Sequence, residues 1–175
     1  MRKYIVCMIV VVILGVTGCG DSDVGDRLIQ FVNKDLEEAG NLESEANDLY
    51  VEILGNDEKS DEDLKDALKN TIVPYYEKMI KDVSDIDLGE YTELEKAKSL
   101  IFQYWSKKLD AFYKMEDAAE IEDNESMIDK AKDLFDEADK LYEQYDAELD
   151  RLGKKYGVTI SEKEKKKTVK LEGKK

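Results

Sequence analysis

Histidine is absent from the 175 residues, and proline occurs once, at Pro74. Without an imidazole the chain has no His-dependent catalytic triad, no zinc-protease centre and no Glu-x-x-His di-iron site. Cysteine is nearly absent too: Cys7 and Cys19 both lie near the N-terminus. Cys7 falls inside an apolar run, so no disulfide is expected in the body of the chain. With ten glycines and a single proline, turn residues are too sparse for a sheet protein of this length.

What the chain has is charge and helical rhythm. Charged residues make up 39% and hydrophobic ones 42%, a pairing that points to long amphipathic helices. The net charge of −15 is spread unevenly: residues 1–18 carry +2, residues 19–150 carry −24 and residues 151–175 carry +7. So acidic a body repels nucleic-acid phosphates, and no nucleic-acid partner is expected. The basic C-terminal stretch is the candidate for an anionic partner.

Residues 1–18 have the parts of an export signal. Arg2 and Lys3 supply the positive start, and residues 5–16 an apolar section shorter than the roughly 20 residues of a membrane span. The stretch "VTGC", Val16, Thr17, Gly18 and Cys19, resembles the lipobox of bacterial lipoproteins. Small side chains at Thr17 and Gly18 let a peptidase grip extended backbone beside the membrane. The resemblance implies that Cys19 receives a diacylglycerol, with palmitate among its acyl chains, and becomes the first residue after cleavage. An ordinary signal peptide or an uncleaved anchor is the alternative. Residues 19–26 then read as a short polar tether that keeps the body close to the extracytoplasmic face of the cell membrane.

Apolar residues in steps of three and four predict four helices, over about residues 24–54, 61–83, 92–119 and 126–152. Gly55 is expected to cap the first in the left-handed conformation, Ser60 to cap the start of the second, and Gly153 to end the fourth. Pro74 should kink or split the second helix. Short connections between long helices favour neighbours of opposite direction. The expected fold is therefore all-α: an antiparallel, up-down-up-down four-helix bundle over residues 27–153, with a kinked second helix and a basic tail over residues 154–175. Such a bundle returns the tail to the membrane side, where Lys163, Lys165, Lys166, Lys167 and Lys170 are candidates for contact with anionic lipid. A tail that merely keeps an acidic body soluble is the plainer alternative.

No catalytic constellation is expected, and neither a metal nor a cofactor. The acidic turns at residues 57–63 and 122–125 lack the alternating ligands and central glycine of a calcium loop. Tyr75, Tyr76, Tyr104, Trp105 and Tyr113 are candidates for an aromatic groove beside the proline, with core packing as the plainer account. In layout the chain loosely resembles small helical lipoproteins of Gram-positive bacteria, including those described as cell-wall-binding. That resemblance implies a non-enzymatic binding or scaffold module for an envelope protein. A peptidoglycan- or teichoic-acid-binding protein, or one protecting against a secreted toxin, is the alternative.

Overall fold

The computed structural model describes residues 9–11, 22–56, 58–119, 121 and 124–162. The lipobox residues Val16, Thr17, Gly18 and Cys19 lie outside them, as do Lys163, Lys165, Lys166, Lys167 and Lys170. The body is helical: α1 (Ser22–Gln30), α2 (Glu37–Gly55), α3 (Asp61–Ala67), α4 (Val73–Asp85), α5 (Glu95–Ala119) and α6 (Glu125–Tyr156). A π-helical stretch, Phe31–Asp35, joins α1 to α2, and a second, Leu68–Ile72, joins α3 to α4. A single 3-10 turn, Thr92–Leu94, leads into α5. A three-residue antiparallel pairing of β1 (Ile9–Val11) with β2 (Ile160–Glu162) is the only strand pair among the described residues.

The second π stretch explains what the chain does at Pro74. Proline lacks an N–H and its ring crowds the carbonyl one turn earlier, which breaks a regular α-helix. Here the turn before it widens, and Pro74 falls at the start of α4, so the helix passes through. The capping at Ser60 is as expected. Its hydroxyl accepts from the Asp63 N–H at 3.2 Å, and the Asp63 carboxylate accepts the Ser60 N–H at 2.8 Å, a reciprocal capping box.

Three boundaries differ from the sequence reading. Gly55 closes α2 without a left-handed turn, because Asn56 leaves in an extended conformation (φ −110°, ψ 108°). Helix α1 begins at Ser22, inside the segment expected as tether. Helix α6 runs through Gly153 to Tyr156 and ends at Gly157, which is left-handed (φ 69°). Gly153 is glycine for a different reason: a Cβ there would lie 2.6 Å from the Val158 carbonyl oxygen. After Gly157 the chain folds back, the Val158 N–H donates to the Gly153 carbonyl at 2.9 Å, and Val158 and Ile160 pack against the core. This is a Schellman-type ending, and it makes the first residues of the expected tail part of the body.

The core runs along α2, α4, α5 and α6. Its aromatic centre joins four helices: Phe112 of α5 lies 5.3 Å from the Tyr50 ring, 5.0 Å from Tyr76 and 5.1 Å from Phe135. Edge-on and tilted contacts of this kind satisfy the ring quadrupoles while burying large apolar area. Near the start of α5, Lys98 reaches the carbonyls of Ser84 and Ile86 at 3.1 and 2.6 Å. A cation there neutralises the negative end of α4.

Candidate functional site

Two glutamates and a lysine lie on the apolar stripes of their helices and are buried with them: Glu43, Lys108 and Glu148. Glu43 of α2 and Lys108 of α5 meet at 3.0 Å, with exposures of 6% and 7%. The Glu43 carboxylate also accepts from the Tyr104 hydroxyl at 2.6 Å and from the Trp105 indole N–H at 3.1 Å. Lys108 donates further to Asn47 Oδ1 at 3.0 Å and to the Tyr104 oxygen at 3.3 Å. The Tyr76 hydroxyl donates to the same Asn47 oxygen at 3.3 Å. The ammonium stands 5.2 and 5.3 Å from the ring centres of Tyr76 and Tyr104, close enough for the ring faces to stabilise the cation.

The electrostatics follow from enclosure and pairing. Burial pushes the Glu43 carboxyl up, but the Lys108 charge and the hydrogen bonds from Tyr104, Trp105 and Lys108 outweigh it and hold the group below its usual value. Burial, reinforced by the Glu43 charge, drives the Tyr76 and Tyr104 hydroxyls well above theirs. Glu43 is thus an ionised acceptor and both tyrosines are neutral donors. With its oxygens engaged by three donors, the carboxylate is a structural anion rather than a base poised for a substrate proton. Asn47 Nδ2 is the one buried side-chain polar atom without a partner among the described residues.

The five aromatic residues expected to line a groove separate. Tyr76, Tyr104 and Trp105 are core residues with exposures of 0–4%, so they form no open groove. Tyr75 is half-buried against the core, and Tyr113 is exposed. The Tyr113 hydroxyl donates to Glu77 at 2.6 Å, and that bond, with some burial, raises it to about 12. Core packing wins because the stripe of α5 is wide enough to bury both members of the Tyr104–Trp105 pair, with their polar tips turned onto Glu43.

Sequence reading missed Glu43, Asn47, Lys108 and Glu148. The available signal was a charge in step with apolar neighbours: Glu43 lies between Ala39 and Ala46, and Lys108 between Tyr104 and Phe112. A surface cleft of about 320 Å³ lies between α1 and the end of α4, lined by Arg27, Asp35, Asp82, Asp85 and Asp87 among others. Arg27 crosses it, bonding Asp35 at 2.6 Å and the Asp87 carbonyl at 3.0 Å. No group of three or more candidate ligands among the described residues is placed to hold a metal ion, and none of the described helices is long and apolar enough to cross a membrane.

Fold and geometry define an all-helical body with a buried ionic network at its core. No protein-family model, curated protein or solved structure matches it.

Proposed function

We propose that the protein is a lipid-anchored, extracytoplasmic lipoprotein whose helical body serves as a non-catalytic binding or scaffold module for another envelope protein. The observation that carries this is the run from Arg2 and Lys3 through the apolar section to Val16, Thr17, Gly18 and Cys19. Cleavage before Cys19 removes β1, so Ile160–Glu162 loses its ladder partner and the helical body remains. The buried network supports the non-catalytic part, since its acid and base groups are consumed by one another.

In this reading the helices form an antiparallel, up-down-up-down four-helix bundle: α1–α2, α3–α4, α5 and α6. Supporting it, the start of α5 meets the end of α6 through Lys96 and Glu148 at 3.0 Å, and Gly25 of α1 packs beside Tyr156 and Val158. The tail lysines Lys163, Lys165, Lys166, Lys167 and Lys170 then emerge on the membrane side and add an electrostatic contact with anionic lipid. The burial of Tyr76, Tyr104 and Trp105 weighs against a sugar-binding aromatic groove, so a cell-wall polymer partner would have to be gripped by the tail.

Mass spectrometry of the membrane fraction tests the anchor. A chain beginning at diacylglyceryl-Cys19 is expected, and Cys19→Ser should abolish both lipid incorporation and membrane retention. An intact Met1 overturns the reading. Crosslinking from the exposed Tyr113 position in intact cells tests the binding role, with a discrete protein adduct as the expected result.

A further inference from the structure

Strand β2 (Ile160–Glu162) is a short edge fixed to the body. The Val158 N–H donates to the Gly153 carbonyl at 2.9 Å, and a Cβ on Gly153 would stand 3.3 Å from Ile160 Cδ1. Val158 and Ile160 pack against the core, so the end of α6 holds the backbone that enters the strand. Its neighbour is β1 (Ile9–Val11), in antiparallel register: Ile9 lies opposite Glu162, Val10 opposite Ser161 and Val11 opposite Ile160. The backbone of β1 also runs beside the π-helical stretch Phe31–Asp35. Extended chain therefore fits against both. The segment held there, Ile-Val-Val, is uncharged and wholly β-branched.

On the lipoprotein reading β1 leaves with the leader, and the main-chain groups of Ile160–Glu162 that faced it lose their partners. An open row of N–H and C=O groups is a template for another strand. Because β2 is already fixed to α6, little further freedom is lost when a strand adds to it. A second copy of the chain is a poor occupant. The mature chain carries −17, the −15 of the whole less the +2 of the leader, and three residues of ladder offer little against that repulsion.

We propose that the vacated edge of β2 is a docking site for an extended, uncharged, β-branched segment of another envelope protein. That segment adds to Ile160–Glu162 as an antiparallel strand, in the place of Ile9–Val11. Strand addition of this kind takes its affinity from main-chain bonds and its specificity from alternate side chains. The proposal rests on the lipoprotein reading, which empties the edge, and it gives the binding module a place and a class of ligand.

The test uses the mature chain, lipidated on Cys19 and held in nanodiscs, with the blocked peptide acetyl-Ser-Thr-Ile-Val-Val-Thr-Ser-amide as probe. Amide hydrogen exchange at Ile160–Glu162 is expected to slow about fivefold at saturating peptide, with no change around Trp105. The same peptide with proline for its middle valine should give no slowing. Ser161→Pro and Glu162→Pro remove donors that point to opposite sides of the strand. One of the two should abolish the slowing at the remaining amides while Trp105 emission stays native. No slowing in the mature chain overturns the docking site, as does slowing that survives both variants. Slow exchange without peptide that deepens with protein concentration assigns the edge to a second copy, and overturns it too. The mass of the same preparation keeps the two readings apart. An intact Met1 overturns the lipoprotein reading, whereas a chain that starts at Cys19 and shows no slowing overturns the docking site alone.

Discussion

Glu43 and Glu148 are buried to similar extents, 6% and 3% exposed, yet their surroundings are opposite in kind. Around Glu43 every partner is itself enclosed: Lys108, Tyr104 and Trp105 are all core residues. Around Glu148 the partners come in from water. Arg151 forks onto it at 2.6 and 3.1 Å with 53% of its side chain exposed, and Lys96 joins at 3.0 Å with 68% exposed. The Arg151 hydrogen bonds, then Lys96, hold the Glu148 carboxyl below its usual value against the effect of burial. What differs is who bears the desolvation. At Glu43 both charges have left water, so each depends on the other. At Glu148 only the carboxylate has, and its cations keep their hydration.

Breaking the pairs from the cation side should separate them most widely. Lys108→Ala leaves a carboxylate in the core with only neutral donors, and a loss of about 3–5 kcal/mol is expected in denaturant unfolding. A loss under about 1 kcal/mol would mean that Glu43 reaches water or a proton after all. Acid makes the same break from the other side. Both glutamates have folded values below the 4.5 of the unfolded chain. Their stabilisation is therefore complete above about 4.5 and is lost as pH falls through the folded values. Trp105 is the only tryptophan and bonds Glu43 directly, so its fluorescence should follow the Glu43 step alone. An acid transition in Trp105 emission that Glu148→Gln abolishes would contradict this.

Gly153 sharpens the contrast from the packing side, five residues beyond Glu148. Alanine normally favours a helix over glycine, but a Cβ at Gly153 meets the Val158 carbonyl at 2.6 Å. Gly153→Ala is expected to destabilise by about 1–3 kcal/mol. Gly40→Ala, with open space around its Cβ, should stabilise by about 0.5–1 kcal/mol. The smallest effect belongs to Lys96→Ala. Arg151 still forks onto Glu148, and the exposed ammonium was worth little, so a change within about 0.5 kcal/mol is expected in thermal unfolding. A loss comparable with that of Lys108→Ala would erase the distinction between the two glutamates.

Much of this fold was legible because helical periodicity is a local property. The apolar steps placed the helices to within a few residues, and the Ser60 cap was readable from its serine and the following acids. The failures have tertiary causes. Gly153 looks like a helix end, yet its role is to admit the Val158 carbonyl, a contact that exists only once the chain folds back. Leu42 and Leu49 match the expected stripe but are half-buried; Glu43 and Tyr50 beside them are buried instead, downstream of the π stretch at Phe31–Asp35. Ala39, Ala46 and Ile53 stay on the buried stripe, so the buried face of α2 is centred slightly off the line that the leucines mark.

The sequence by itself determined the helical character, the charge asymmetry and the lipobox-like stretch around Cys19, because composition and short motifs need no partner in space. Only the tertiary structure decided that Glu43 and Lys108 are core residues, that Tyr76, Tyr104 and Trp105 line no groove, and that the two chain ends of the body meet beside Gly25. Each of these depends on which helix faces which. A charge on an apolar stripe becomes stable only when a helix distant in sequence delivers its counter-charge to the same level.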